Sequence, residues 1–150
     1  EVGFNPKFFF ASVGTAFQLY RHVMTPAGAE GVLGMGSWNA KTSPGAKAYF
    51  DAHTKKFGGK EPDRWASGAT WAGLELLTNA VAKVGLDRRA IRDYVANNEH
   101  STIIGKIKFV GSENVGTPGI VSQWQNGEFE VVWPKNVATA TLNPGKPAWN

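Results

Sequence analysis

The chain has 150 residues, 42% of them hydrophobic and 19% charged, which suits one compact domain and shows no compositional sign of disorder. The absence of cysteine excludes disulfides, thiol catalysis and cysteine-built zinc sites. The formal charge of +4 comes from dispersed Lys and Arg, densest at Lys55, Lys56 and Lys60, so it reads as a solvated surface and not as a stripe that tracks nucleic acid.

Lys7 to Gly14 is an apolar, aromatic run after the turn signal Asn5-Pro6, and predicts a buried strand passing into a loop. Phe17, Leu19, Tyr20 and Val23 predict a short helix that ends near Pro26. Gly31 to Trp38 predicts a second buried strand, weakened by its glycines. Ser43-Pro44 is a helix start, because a hydroxyl can cap free N–H groups and proline suits the first helical position. Tyr49, Phe50, His53 and Phe57 follow at helical spacing until Gly58-Gly59 stops the helix. A longer helix is expected from about Ser67 to Val84, burying a stripe of Trp71, Leu74, Leu77, Val81 and Val84. Asp87 caps a third helix carrying Ile91, Tyr94 and Val95.

Ile103 to Val110 predicts a half-exposed strand, with Ile107 and Phe109 opposite Lys106 and Lys108. Gly111 to Gly119 reads as a polar loop. Asn126-Gly127 then joins Ile120–Gln125 to Glu128–Trp133, and suits a two-residue type I′ hairpin because both turn positions need positive φ. That register pairs Trp124 with Phe129, Ser122 with Val131 and Ile120 with Trp133. The tail after Pro134 reads as extended. Strands alternating with helices, followed by this late antiparallel hairpin, indicate an α/β architecture.

Catalytic machinery is not legible. His22, His53 and His100 are isolated, with no second ligand at helical spacing, whereas a metal needs several converging ligands. Gly34-Met35-Gly36 begins like a dinucleotide fingerprint, but Asn39 stands where the third glycine belongs. Neither a P-loop nor a Gly-x-Ser-x-Gly elbow is present. Glu75, Glu128 and Glu130 give no sign of pairing across a substrate. The chain is therefore expected to be a non-enzyme without cofactors or metals. Trp38 and Trp65 stand at element ends beside small or polar residues, where aromatic side chains line ligand sites in open α/β sheets. The other reading is that both pack under loops.

Several stretches in order resemble the leucine/isoleucine/valine-binding family of substrate-binding proteins of ABC transporters. They are Gly3 to Phe10, Ala29 to Leu33, Phe50 to Pro62, Ala69 to Leu77, Ile104 to Phe109, and Gln123 to Pro134. The resemblance implies part of a two-lobe type I periplasmic-binding fold, Rossmann-like and flavodoxin-like in its layering. Residues 1–36 would belong to the C-terminal lobe, 37–115 to the N-terminal lobe, and 116–150 would return to the C-terminal lobe through the hinge. The N-terminal half of the same protein, with the hydroxyl and backbone donors for a ligand carboxylate, would lie outside this sequence. The sequence opens at Glu1 without Met or signal peptide, which is expected of a processed or truncated exported chain located in the periplasm.

By resemblance, the ligand-binding residues would be Ser12, Val13 and Gly14 in the loop after the first strand, together with Trp38, Trp65 and Ala66. The family places in that loop a glutamate that pairs with an α-ammonium, and Val13 stands there instead. Losing such a charge-assisted hydrogen bond costs about 1.5–3 kcal/mol. The expected cargo is therefore an aromatic or apolar carboxylate in preference to an amino acid. The expected partners are this small-molecule ligand, a membrane permease and the missing half, with no nucleic acid. Three functions compete: solute capture for an ABC importer, a ligand-sensing or regulatory domain on the same fold, and a hydrolase or transferase, which lacks a nucleophile–base pair.

Overall fold

A computed structural model describes residues 3–117 and 119–149. The first segment makes one parallel bridge, Phe10 to Leu33, instead of the expected buried strand, and Ser12–Ala16 winds into a 3-10 turn. Its backbone is held by Ala11 N–H donating to Leu33 O at 3.0 Å and Leu33 N–H donating to Phe9 O at 2.8 Å. With a strand neighbour on one side only, the run buries one face. Phe9 packs inward on Trp149, while Phe8 and Phe10 remain exposed.

Helix α1 (Gln18–Ala29) breaks where proline demands it, at Thr25 with φ 63°, and then continues past Pro26 to Ala29. Pro26 takes the first position of that second piece, and Gly28 N–H donates to Thr25 Oγ1 at 3.3 Å. Strand β1 (Leu33–Gly36) follows. Its Gly34 is explained by close approach: a Cβ there would lie 1.6 Å from Thr15 Oγ1 and 2.6 Å from Ser12 O.

Helix α2 (Pro44–Lys56) starts as expected, with Ala46 N–H donating to Ser43 Oγ at 3.0 Å. Helix α3 (Ala66–Val84) leaves part of the expected stripe open, with only Val81 and Val84 of it half-buried. Gly68, Ala72 and Ala80 are its buried residues, while Trp71, Leu74 and Leu77 are 43%, 51% and 49% exposed. Small side chains let this helix lie close on its neighbours: a Cβ on Gly68 would come 2.3 Å from the Trp38 indole. Helix α4 (Arg88–Asn97) is capped by Asp87, which accepts from Ala90 N–H at 2.8 Å.

Among the described residues two antiparallel three-stranded sheets complete the fold. One has the order β2–β3–β4, built from Glu99–Thr102, Gly105–Val110 and Glu113–Asn114. Ile107 is buried and Lys106 and Lys108 are exposed, as the alternation predicts. The pairing strand β2 and the short β4 were not legible as strands. The other sheet has the order β1–β5–β6, with β5 Ile120–Gln125 and β6 Glu128–Trp133. The Asn126-Gly127 turn has φ of 51° and 84°, and Trp124–Phe129 and Ser122–Val131 pair as expected. The third pair differs. Val121, not Ile120, faces Trp133, because the register shifts between Val121 and Ser122 and β6 accommodates one extra residue.

The described core has two clusters. Ala16, Ala29, Val32, Trp124 and Phe129 form one, flanked by Phe9, Tyr20, Trp65 and Trp149. Trp38, Ala46 and Ile103 form the other, flanked by Ala40, Tyr49, Phe50 and Ile104. The tail makes a 3-10 turn at Lys135–Val137 before running extended, and it returns to the first segment. There Lys146 N–H donates to Lys7 O at 2.8 Å and the Trp149 indole donates to Gly28 O at 2.9 Å.

Candidate functional site

The segment between α2 and α3, from Glu61 to Ala66, joins the pieces that the sequence marks. Asp63 organises it. Its carboxylate accepts from the backbone N–H groups of Trp65 at 2.8 Å, Ala66 at 2.6 Å and Ser67 at 3.2 Å, while Ser67 Oγ donates to Asp63 O. These are N–H groups that the first turn of a helix leaves without intrahelical partners, so Asp63 caps α3. The capping signal was readable in Pro62-Asp63 ahead of a helix, but the expected start near Ser67 passed over it.

Backbone groups of this segment reach three other elements. Arg64 N–H donates to Ala16 O at 2.9 Å, which ties it to the turn containing Ser12, Val13 and Gly14. Ser37 N–H donates to Arg64 O at 2.8 Å, and Ser37 Oγ donates to Trp65 O. The Trp38 indole N–H donates to Asp63 O at 2.9 Å. Hydrogen bonds thus connect the 12–16 turn, the end of β1 and the start of α3.

Arg64 is the charged centre of this junction and was not singled out by sequence. Its side chain is only 4% exposed, so its charge requires partners. It donates to Pro62 O at 2.7 Å and Glu61 Oε2 at 2.9 Å, and Glu128 Oε2 lies 3.9 Å away. The guanidinium also sits 5.4 Å from the Trp38 ring centre and 5.0 Å from that of Phe50. Gln18 donates to the same Glu61 carboxylate. Nothing in the local pattern announces this burial; it arises because four separate elements converge.

The six expected ligand residues divide. Ser12 has φ 55° and is exposed, Val13 is half-buried, and Gly14 is exposed. Trp65 is half-buried against the first core cluster, and Ala66 is exposed at the helix start. Trp38 is only 2% exposed and meets Tyr49 edge-on at 5.2 Å. It lines a cavity of about 300 Å³ that the other five residues do not line. Tyr20, packed like Trp65 against the first core cluster, has a buried hydroxyl without a partner among the described residues, and burial pushes its pKa up.

The histidines lie apart. His53 Nδ1 is 3.1 Å from Lys60 O, and buried His100 places Nε2 3.1 Å from Val95 O. Among the described residues no His, Asp and Glu group of three or more is placed to hold a metal ion. No described helix is long and apolar enough to cross a membrane.

This arrangement of elements matches solved solute-binding proteins. A putative branched-chain amino acid ABC transporter protein from Silicibacter pomeroyi superposes over 91% of this chain with a TM-score of 0.70 at 16% identity. The chain has the fold of part of a type I periplasmic-binding protein. The branched-chain amino acid transporter substrate-binding protein LivJ from Streptococcus pneumoniae, solved with isoleucine, matches over 86% of this chain with a TM-score of 0.68 and 19% identity. A solute-binding protein of an ABC transporter from R. palustris, solved with benzoate, matches over 85% with a TM-score of 0.63 and 14% identity. This chain spans 40%, 38% and 35% of the lengths of those three proteins. No family model matches the sequence, and neither does any curated protein.

Proposed function

We propose that this chain is part of an exported, periplasmic substrate-binding protein that captures a small organic acid between two lobes and presents it to the permease of an ABC importer. The fold likeness supports the solute-capture reading. The two core clusters support a division into lobes. One draws on residues 9–32 and 124–149 with Trp65 added, the other on residues 38–104. Residues 1–36 and 116–150 would form part of one lobe and 37–115 part of the other, closing as a hinge around the ligand.

The preference for an aromatic or apolar carboxylate rests on one observation. The carboxylates of the 61–66 segment are already engaged. Asp63 is held by three backbone N–H groups of its own chain, and Glu61 is shared by Arg64 and Gln18. An amino acid's ammonium would meet Val13 in place of a free carboxylate, at a cost of about 1.5–3 kcal/mol. An aromatic ring loses nothing there. Ser12, Val13, Gly14, Trp65 and Ala66 would surround the ring with Trp38 behind them, and the carboxylate would be held by the remainder of the protein. The α3 N–H groups do not serve it, because Asp63 occupies them.

A thermal-shift series on the full-length protein tests this. Benzoate or a cinnamate should raise Tm in proportion to ln(1 + [L]/Kd), with leucine, isoleucine and valine inert. Stabilisation by leucine alone would refute the cargo assignment. The 150-residue chain by itself should associate with itself or with the missing half, because Phe8, Phe10, Trp71, Leu74 and Leu77 are exposed. A cooperative melt of a monomer would count against that.

A further inference from the structure

The cavity lined by Trp38 has its own chemistry, distinct from that of the Ser12–Gly14 turn. It lies where the strand β1 exit, the β2–β3 turn, the β5–β6 sheet and the Lys135–Val137 turn meet. Ile103, Ile104, Ile120, Val131 and Val137 give it apolar walls. At about 300 Å³ it is about twice the size of a protein cavity that accommodates benzene, so a phenyl ring with a short arm fits.

Its hydroxyls are polarised in one direction. Thr42 Oγ1 donates to Asn39 O at 2.7 Å, Thr102 Oγ1 to Gly105 O at 2.8 Å and Thr117 Oγ1 to Lys106 O at 2.6 Å, and Ser37 Oγ donates to Trp65 O. Every one of those partners is a backbone carbonyl, which has no proton to give. Each of the four hydroxyls has therefore spent its only proton, and towards a ligand it can only accept. Ser43 is the opposite case. Its oxygen accepts from Ala46 N–H at 3.0 Å, which leaves its own proton available as a donor.

These facts select a ligand class. A carboxylate needs several donors, and it would meet these four acceptors with only the Ser43 hydroxyl and the Asn136 amide as neutral side-chain donors among the described lining residues. An ammonium finds acceptors, but no Asp or Glu among the described lining residues to neutralise it. The charged lining residue, Lys106, is turned to Glu99 at 2.7 Å with its side chain 67% exposed. A neutral hydroxyl both gives and takes a proton. We propose that this cavity is a second binding site, for a small neutral alcohol or phenol with an apolar ring, wedged between the two sheets. It does not depend on the organic-acid reading of the Ser12–Trp65 region.

The test is methyl NMR on the full-length protein, read at Ile103, Ile104 and Val137, with benzyl alcohol, benzoate and benzylamine as probes of the same ring. Benzyl alcohol should shift these three methyls saturably in the millimolar range, while the two charged probes leave them unmoved. Thr117→Val removes one acceptor and should weaken the alcohol about fivefold. Val137→Phe fills the space and should abolish the shifts at Ile103 and Ile104, with the Val32 methyls reporting that the fold is intact. If Val137→Phe fails to fold, the Thr117→Val titration carries the decision. The proposal is overturned if benzoate moves these methyls as strongly as the alcohol, if the alcohol moves none of them, or if both variants bind it unchanged. A benzoate effect confined to other residues concerns the organic-acid site and leaves this one standing.

Discussion

Replacing Gly34 by alanine adds one methyl group to the middle of β1, and the structure leaves no room for it. The new Cβ would lie 1.6 Å from Thr15 Oγ1, 2.9 Å from Thr15 Cβ and 2.6 Å from Ser12 O. Relieving those contacts needs a displacement of more than 1 Å. Side-chain rotation alone cannot supply it, because Ser12 O is backbone. Thr15 is itself pinned: its Oγ1 donates to Ser12 O at 2.7 Å and its carbonyl accepts the Trp124 indole N–H at 2.9 Å. Overpacking of this kind costs about 1–3 kcal/mol, and loss of the Trp124 hydrogen bond adds about 1 kcal/mol. The expected loss is therefore about 2–4 kcal/mol, a large share of the stability of an ordinary domain. Gly73→Ala is the control, because a Cβ there meets nothing within 4 Å inside α3. It should stabilise by about 0.5–1 kcal/mol through helix propensity. Urea unfolding of both variants in the full-length protein, followed by tryptophan fluorescence, gives the two midpoints. A Gly34→Ala midpoint within about 0.5 kcal/mol of the parent protein would refute the packing argument. Thr15→Ala in the Gly34→Ala background should recover part of the loss, since it removes the 1.6 Å contact and leaves the one to Ser12 O.

Asp63→Ala should cost about 1–2 kcal/mol by uncapping α3, and Asp63→Asn much less, because the amide oxygen still accepts; denaturant midpoints separate the two. Arg64→Lys should destabilise by about 2 kcal/mol, since an ammonium cannot reach Pro62 O and Glu61 together while lying over Trp38 and Phe50; near-ultraviolet circular dichroism of the Trp38 environment should weaken with it. Burial pushes the Lys146 ammonium below its ordinary pKa of 10.5. The unfolded chain therefore holds that proton more tightly than the folded one, and stability rises as pH climbs through the depressed pKa towards 10.5. Lys146→Met should flatten that part of a Tm-against-pH curve; an unchanged slope would refute the assignment. The Glu99 carboxyl is held below its ordinary 4.5 by its hydrogen bond to Lys106, so its small contribution is present above 4.5 and lost as pH falls through the lowered value. Glu99→Gln should remove that acid-limb dependence, and added salt should shrink it.

The junction offered as the candidate site was legible in part. Trp38 and Trp65 stood out as aromatics at element ends, and both lie on the segment network built around Asp63 and Arg64. Arg64 itself was not readable, because an arginine between aspartate and tryptophan looks the same whether solvated or enclosed. Its burial depends on Ala16, Glu128, Phe50 and Trp38 arriving from four places in the sequence. The cavity chemistry was hidden for the same reason. Threonine can donate or accept, and only the position of a backbone carbonyl beside each hydroxyl decides which role remains.

The sequence by itself determined the punctuation: the Ser43 and Asp87 caps, the break before Pro26, the Asn126-Gly127 hairpin and the alternation along β3. Each of these depends on φ, on a cap or on a period within a few residues, which neighbouring side chains specify directly. The tertiary structure decided where β6 accommodates its extra residue and why Gly34 and Gly68 must be glycine. Those outcomes depend on how closely two distant segments approach, and close approach favours small residues over large apolar ones.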